Sequence, residues 1–181
     1  MFGFTTEKFM TKLATPIALN HIGITVPDIH AAIDWYGKVF GFRRIMGPRR
    51  LEPKLSDTAE SGHILGPRFR KALQAHLVAT NGIGLELFKF LGPESETPED
   101  NLEYWKTGVW HLCFTDPDIE GLVDRIVAEG GKKRTDVWAF VPETDRKRCY
   151  YEDPFGNVIE IFSHSYEQTS ANWPNEGRDV D

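Results

Sequence analysis

The chain is poor in cysteine and methionine, with two cysteines and three methionines among 181 residues. Cys113 and Cys149 lie inside apolar segments and do not form the closely spaced pairs that bind zinc. Two isolated cysteines also exclude a scaffold held together by several disulfides. We expect both thiols to pack as small apolar residues in a reducing compartment.

The chain also lacks a long apolar run and an excess of basic residues. No stretch of about 18 apolar residues is present, which argues against a membrane-spanning helix. The segment Met1–Lys8 has no basic part followed by an apolar part, so no signal peptide is predicted. The formal net charge of −6 argues against a nucleic-acid partner. We therefore expect a cytoplasmic protein that binds neither nucleic acid nor membrane.

What the chain does contain is a pattern that occurs twice. Two short apolar runs open on a histidine, at His21 and at His111. Two others carry a single carboxylate in their middle, at Glu86 and at Glu160. An unpaired carboxylate is costly to bury, so each glutamate needs a cation or a metal beside it.

The segments around these residues predict the same order of elements twice: strand, helix, strand, strand, strand. Apolar residues alternate in the predicted strands and recur at helical spacing in the predicted helices. Asp28 is the expected N-cap of the first helix, and Asn81-Gly82 is a strong hairpin signal. The predicted strands are 19–26, 42–46, 73–79, 83–90, 109–115, 135–140, 148–152 and 158–162, and the helices are 29–40 and 119–127.

The repeat predicts an α+β protein made of two tandem βαβββ modules. Neither half can bury its sheet face alone, so their curved mixed sheets are expected to enclose one metal site, with the helices outside. The predicted parts are an N-terminal arm (1–16), module 1 (17–91), an acidic linker (92–108), module 2 (109–163) and a polar C-terminal tail (164–181).

If the two sheets face each other, the four repeated side chains meet in one cavity. Two neutral imidazoles and two carboxylates form a site for one divalent metal, with Zn, Ni, Mn, Co and Fe as candidates. A single strand histidine is more often structural, and a single strand glutamate often faces solvent. The matched repetition favours metal binding. The predicted metal ligands are His21, Glu86, His111 and Glu160.

The hairpin register predicts further residues on the same face. If the last turn is symmetric about Phe155, Tyr150 lies opposite Glu160. The offset between the two glutamates, 160 − 86 = 74, relates Tyr150 to His76 and Arg148 to Gln74. His76 is then a candidate general base or substrate donor, or alternatively a hydrogen-bonded wall residue. The candidate substrate residues are Tyr150, Arg148 and Gln74.

The segment 47–70 is predicted to be an irregular loop that is longer than most loops. It is a candidate lid over the site or a mobile excursion. Its basic residues indicate either an anionic small-molecule substrate or a solvated loop face. These residues are Arg49, Arg50, Lys54, Arg68 and Arg70.

Several motifs together resemble a known superfamily. They are Asn20–Ile24, Ile33–Tyr36 with Phe40–Phe42, Gly84–Phe88, Trp110–Leu112, and Asp153–Asn157 leading to Glu160. They are similar to motifs of the vicinal oxygen chelate superfamily, which includes glyoxalase I, bleomycin-resistance and fosfomycin-resistance proteins, methylmalonyl-CoA epimerase and extradiol dioxygenases. The resemblance covers about residues 17–163. It implies paired βαβββ modules around one divalent metal, and a homodimer.

The resemblance also implies a reaction class. The four predicted ligands match the positions in glyoxalase I-like members, whereas extradiol dioxygenases resemble this pattern with two histidines and one glutamate. A fourth ligand at Glu86 favours a metal-dependent lyase or isomerase, in which the metal acts as a Lewis acid on a substrate with adjacent oxygens. Glu160 is the expected proton shuttle, with Glu86 second. The alternatives are an Fe(II) dioxygenase and a metal-free drug- or metabolite-binding protein.

Overall fold

A computed structural model describes residues 17–53, 64–99 and 102–171 of the chain. The predicted N-terminal arm, the middle of the predicted 47–70 loop and the end of the predicted tail lie outside the described residues. The described parts contain two mixed β-sheets and several helices.

The first sheet contains four strands in the order β1-β4-β3-β2. β1 runs parallel to β4, and the other neighbours are antiparallel. A parallel pair needs a crossover connection, and helix α1 lies in it directly after β1. The elements are β1 (His21–Thr25), α1 (Ile29–Phe40), β2 (Arg43–Leu51), β3 (Lys71–Val78) and β4 (Gly84–Gly92).

Helix α1 begins and ends where the sequence predicts. The Asp28 carboxylate accepts hydrogen bonds from the backbone N–H groups of His30 and Ala31 at the start of the helix. Gly41 ends it in the left-handed conformation, with a φ of 68°. Both features satisfy backbone groups that the helix leaves unpaired at its ends.

Strand β2 continues past the predicted start of the loop. The sequence places the break at Gly47, but the strand runs to Leu51. Gly47 has a φ of +80°, and the pairing of β2 with β3 shifts register between Met46 and Arg49. The glycine therefore forms a bulge within an edge strand, where a glycine in this conformation is tolerated.

The second sheet repeats this topology, with β5, β9 and β8 in the places of β1, β4 and β3. The predicted strand 135–140 is wrong in its extent: two short strands, β6 and β7, pair with β8 in its place. Between them, the Thr135 hydroxyl accepts a hydrogen bond from the Tyr150 N–H and interrupts the ladder. The elements are β5 (Leu112–Thr115), α2 (Ile119–Ala128), β6 (Lys132–Lys133), β7 (Trp138–Ala139), β8 (Lys147–Glu152) and β9 (Val158–Phe162).

The start of the predicted polar tail is helical. Helix α3 (Tyr166–Ser170) begins at a capping box between Ser165 and Gln168, and Thr169 is buried. A capping box satisfies two otherwise unpaired donors, which explains how so short a helix forms. None of the helices described is long and apolar enough to cross a membrane.

One hydrophobic core joins the two halves. On the α1 side, the Trp35 indole N–H donates to the Glu129 carbonyl oxygen at 3.0 Å, and the Tyr36 hydroxyl donates to Asp153 at 2.7 Å. The ring centres of Phe40 and Phe114 are 4.4 Å apart. Within the described residues no strand pairing joins the two sheets, so packing and these hydrogen bonds hold the halves together.

Candidate metal and substrate site

The two repeated glutamates lie on the sheet faces opposite to the core. Leu85 and Leu87 on β4 belong to the core, as do Ile159 and Ile161 on β9. Because side chains alternate along a strand, the glutamate between each pair points to the other face. The helices thus cover one face of each sheet, and the charged groups occupy the other.

In the first half, Glu86 is surrounded by polar partners. His21 Nε2 lies 3.5 Å from Glu86 Oε2, and His76 Nε2 lies 3.5 Å from Glu86 Oε1. The predicted register is confirmed, since His76 pairs with Glu86 across β3 and β4. Gln74 donates its amide N–H to Glu86, and the Arg49 Nε–H donates to the Gln74 oxygen at 2.8 Å. A charged guanidinium is therefore connected to Glu86 through Gln74.

In the second half, Glu160 is more deeply buried, with a residue exposure of 7%. His111 Nε2 lies 3.1 Å from Glu160 Oε2. The Tyr150 hydroxyl donates to Glu160 Oε1 at 2.5 Å, and Arg148 Nη1 lies 3.5 Å from the same oxygen. The predicted pairing of Tyr150 with Glu160 across β8 and β9 is confirmed. Each half thus presents one histidine and one glutamate at equivalent positions.

Tyr150 is held as a hydrogen-bond donor. Burial, together with the hydrogen bond to Glu160 and the charge of that carboxylate, raises the pKa of the Tyr150 hydroxyl. The phenol therefore keeps its proton at neutral pH. Its ring stacks with those of Trp110 and Trp138, whose centres are 5.9 and 6.3 Å away, so several aromatic rings lie beside the carboxylate.

Sequence reasoning missed Cys113 as a neighbour of the site. It pairs with Glu160 across β5 and β9 and lies two residues after His111, which directly precedes β5. Partial desolvation of the sulfur atom, together with the adjacent Glu160 carboxylate, raises the pKa of the Cys113 thiol to about 12. The expectation of a core cysteine is wrong for Cys113, which is exposed, whereas Cys149 is buried in the core as expected. Alternation along the strand from His111 could have identified it.

The geometry of each histidine–glutamate pair fits a shared metal. Two donor atoms at about 2.0–2.2 Å from one ion lie roughly 3.0–3.5 Å apart. The distance from the histidine nitrogen to the glutamate oxygen is 3.5 Å in the His21–Glu86 pair and 3.1 Å in the His111–Glu160 pair. Imidazole nitrogens with carboxylate oxygens also form a donor set suited to divalent first-row metals.

The two pairs do not meet. Within the described residues, no group of three or more His, Cys, Asp or Glu side chains is placed to hold one ion. A cleft of about 340 Å³ is lined by Ile22 and Gly23 of β1 and by His111 and Leu112 at the start of β5. The complete four-ligand site therefore stays a prediction, and so do the roles of the predicted substrate residues.

Comparison with known proteins agrees with this topology. A glyoxalase family protein from Bacillus cereus superposes with a TM-score of 0.68 at 21% identity, over 84% of this chain and 97% of the other. The fosfomycin resistance protein FosX from Listeria monocytogenes superposes with a TM-score of 0.53 at 15% identity, over 85% of this chain and 95% of the other. That structure is a glutamate-to-glutamine mutant in complex with Mn(II) and 1S,2S-dihydroxypropylphosphonic acid. A glyoxalase I mutant from Zea mays gives 0.54 at 18% identity, over 81% of this chain and 45% of that one.

At these identities the solved structures establish the fold alone. A search of the curated proteins found no match. The family is established independently by a sequence profile that matches residues 18–161. With its paired βαβββ modules and that match over most of its length, the chain belongs to the Glyoxalase/Bleomycin resistance protein/Dioxygenase superfamily.

Proposed function

We propose that the protein is a divalent-metal-dependent lyase or isomerase acting on a small substrate with two adjacent oxygens. The observation that carries the proposal is the repeated histidine–glutamate pair, His21 with Glu86 and His111 with Glu160. The chance that two unrelated structural pairs fall at matching strand positions of a duplicated module is small. The FosX relative with bound Mn(II) supports a metal of this kind.

The four side chains of the two pairs would hold the metal. When bound, the metal would act as a Lewis acid that stabilises developing negative charge on a substrate oxygen. Because the pairs are separate within one chain, we place the complete site between two copies of a homodimer. Each copy would supply His21 and Glu86 to one site, and His111 and Glu160 to the other.

Glu160 would move the substrate proton. Its Oε1 atom accepts the Tyr150 hydrogen bond, which fixes the carboxylate and leaves Oε2 directed towards His111. Glu86 is the second candidate, and His76 beside it is positioned to donate to a substrate oxygen or to support Glu86. Glu86 shares its face with His21, which favours four protein ligands and a non-redox reaction over the dioxygenase alternative.

The first test combines metal analysis with turnover. Purified protein is loaded with Mn(II), Ni(II) or Zn(II), and bound metal is quantified by mass spectrometry. Turnover is measured with a panel of small substrates that carry two adjacent oxygens, including carboxylic acids with an oxygen on the neighbouring carbon. We expect about one metal per chain, and Glu160→Gln should lower turnover by at least about 100-fold. Glu167 is exposed, so Glu167→Gln is the matched control and should keep the turnover of wild type. Metal-free protein whose turnover is insensitive to Glu160→Gln would contradict the proposal.

The dimeric site has its own test, based on mixing two inactive variants. One variant carries His21→Ala and Glu86→Gln, and the other carries His111→Ala and Glu160→Gln. After unfolding and refolding together, about half of the dimers are mixed, and each mixed dimer has one intact site of two. Metal binding should then recover to about one quarter of wild type. No recovery, with dimers present, would locate the site within a single chain.

A further inference from the structure

Arg148 on β8 is a cation whose hydrogen-bonding capacity is largely unused. Its guanidinium carbon lies 3.9 Å from the centre of the Phe140 ring and 4.9 Å from that of Trp138. Nη1 approaches Glu160 only to 3.5 Å, beyond the roughly 2.7–2.9 Å of a charge-assisted hydrogen bond. The buried Nε has no hydrogen-bond partner among the described residues. A buried donor without a partner is costly, so aromatic packing alone does not account for this arginine.

The equivalent position in the first half shows what a satisfied arrangement looks like. There Gln74 occupies the place of Arg148, accepts from Arg49 and donates to Glu86. Arg49, Gln74 and Glu86 are thus linked by direct hydrogen bonds. In the second half Tyr150 already donates to the Glu160 oxygen that Arg148 faces. Arg148 is thus not required to hold Glu160 in place.

Charge balance indicates the missing partner. In the proposed site the carboxylates of Glu86 and Glu160 balance the two positive charges of the divalent metal. The charge of Arg148 is then left without a counter-ion in a partly buried setting, since its side chain is only 24% exposed. An uncompensated positive charge in such surroundings attracts an anion. This step rests on the proposed function.

We propose that Arg148 binds a carboxylate of the substrate, and that the substrate is a 2-oxo or 2-hydroxy carboxylic acid. A guanidinium forms two parallel hydrogen bonds to a planar carboxylate, which a neutral amide cannot match. Such an acid carries its second oxygen on the adjacent carbon, which gives it the two neighbouring oxygens that the site requires. The flat rings of Trp138 and Tyr150 flank Arg148 and suit a planar group.

The test compares a planar acid with its neutral amide. Oxalate and oxamide have nearly the same shape and both carry adjacent oxygens, but only oxalate is charged. Binding to the Mn(II)-loaded protein is followed by calorimetry and by the tryptophan fluorescence, to which Trp138 beside Arg148 contributes. Mn(II) affinity is measured first, from the spin-resonance signal of free Mn(II). The variants are Arg148→Gln, Arg148→Lys and, as the control, the surface residue Arg125→Gln, and each is checked for folding by its melting curve.

We expect oxalate to bind wild type at least about 10-fold more tightly than oxamide. Arg148→Gln should weaken oxalate binding by about 10- to 100-fold and leave oxamide and Mn(II) binding within about threefold. The oxalate affinity of Arg148→Lys should lie between those of wild type and Arg148→Gln, and the affinity of Arg125→Gln should match wild type. Equal oxalate binding by wild type and Arg148→Gln would overturn the proposal while the metal site stands. An equal loss of Mn(II) affinity would also overturn it, because Arg148 would then act only through Glu160. Absence of Mn(II) binding in wild type would refute the proposed function and this inference with it.

Discussion

Tyr36→Phe tests the buried connection between the two halves of the molecule. The Tyr36 hydroxyl on α1 donates to Asp153 Oδ2 at 2.7 Å, and Asp153 belongs to the turn that precedes β9. Tyr36 is fully buried, and Asp153 is 3% exposed. Phenylalanine keeps the ring and removes only the hydroxyl, so the change deletes one hydrogen bond without emptying the core.

The magnitude follows from what remains around Asp153. The carboxylate keeps three donors: the backbone N–H groups of Phe155 and Asn157 and the Asn157 side-chain amide, at 3.0, 2.7 and 2.8 Å. Loss of a hydrogen bond to a buried charged group lowers the free energy of unfolding by about 1.5–3 kcal/mol. For a chain of this length that corresponds to a melting temperature about 3–12 °C lower.

The assay is urea unfolding at pH 7, followed by circular dichroism and tryptophan fluorescence. Tyr104→Phe is the matched control because the Tyr104 side chain is exposed, and its effect should stay within about 0.5 kcal/mol. A double-mutant cycle with Asp153→Asn should show that the two changes are not additive. A loss below about 0.5 kcal/mol for Tyr36→Phe would refute the reasoning.

The pH dependence gives a second measurement of the same contact. Burial, with the charge of Asp153, raises the pKa of Tyr36 well above its usual value of 10.0. Above pH 10 the unfolded chain loses this proton while the folded chain keeps it. Stability therefore falls as the pH rises, by up to about 1.4 kcal/mol per pH unit for this group. Since the phenylalanine variant lacks the group, the difference from wild type should shrink between pH 9 and pH 11. A constant difference would mean that Tyr36 titrates normally.

Three further predictions concern the strand bulge, the buried thiol and the metal. Gly47→Ala should lower the free energy of unfolding in urea by about 2–5 kcal/mol, because its Cβ would lie 2.4 Å from the Gln74 carbonyl oxygen. The control Gly82→Ala has a similar φ of +83° but open space around its Cβ, so it should lower the free energy by only about 1 kcal/mol. Equal losses of stability in the two variants would contradict this prediction. Burial raises the pKa of the Cys149 thiol to about 12. In a Cys113→Ser variant, a disulfide reagent at pH 8 should therefore label the folded protein at least about 100-fold more slowly than the unfolded protein, and equally fast labelling would contradict the burial of Cys149. Mn(II) at about 100 times its dissociation constant should stabilise the fold by about 2.7 kcal/mol, which a chelator should remove; a melting temperature that does not respond to either would count against the metal site.

Much of the site was predictable because its signals are local. The two-residue period of a strand places Glu86 and Glu160 on the face opposite to the apolar residues beside them. The Asn81-Gly82 and Asp153–Asn157 turns set the hairpin registers, so the sequence alone places His76 and Tyr150 across from the glutamates. Turn type and alternation depend on neighbouring residues alone.

Other features depended on contacts between residues far apart in the chain. Gly47 predicts a break when it is considered alone, but β3 pairs with the strand on both sides of it, so the glycine becomes a bulge. The strand predicted at 135–140 is divided because the Thr135 hydroxyl bonds to Tyr150 on β8. The missing hydrogen-bond partner of Arg148 Nε follows only from the tertiary structure, which packs aromatic rings such as Phe140 around the guanidinium.

The sequence by itself determined that the chain folds as two βαβββ modules, each presenting one histidine and one glutamate on a strand face. Only the tertiary structure decided how the modules pack: α1 and the turn before β9 share a buried hydrogen bond, and the two pairs stay apart among the described residues. The physical reason is that strand alternation is a property of a few consecutive residues. The packing of one module on the other depends on burying apolar surface from both, which no local pattern specifies.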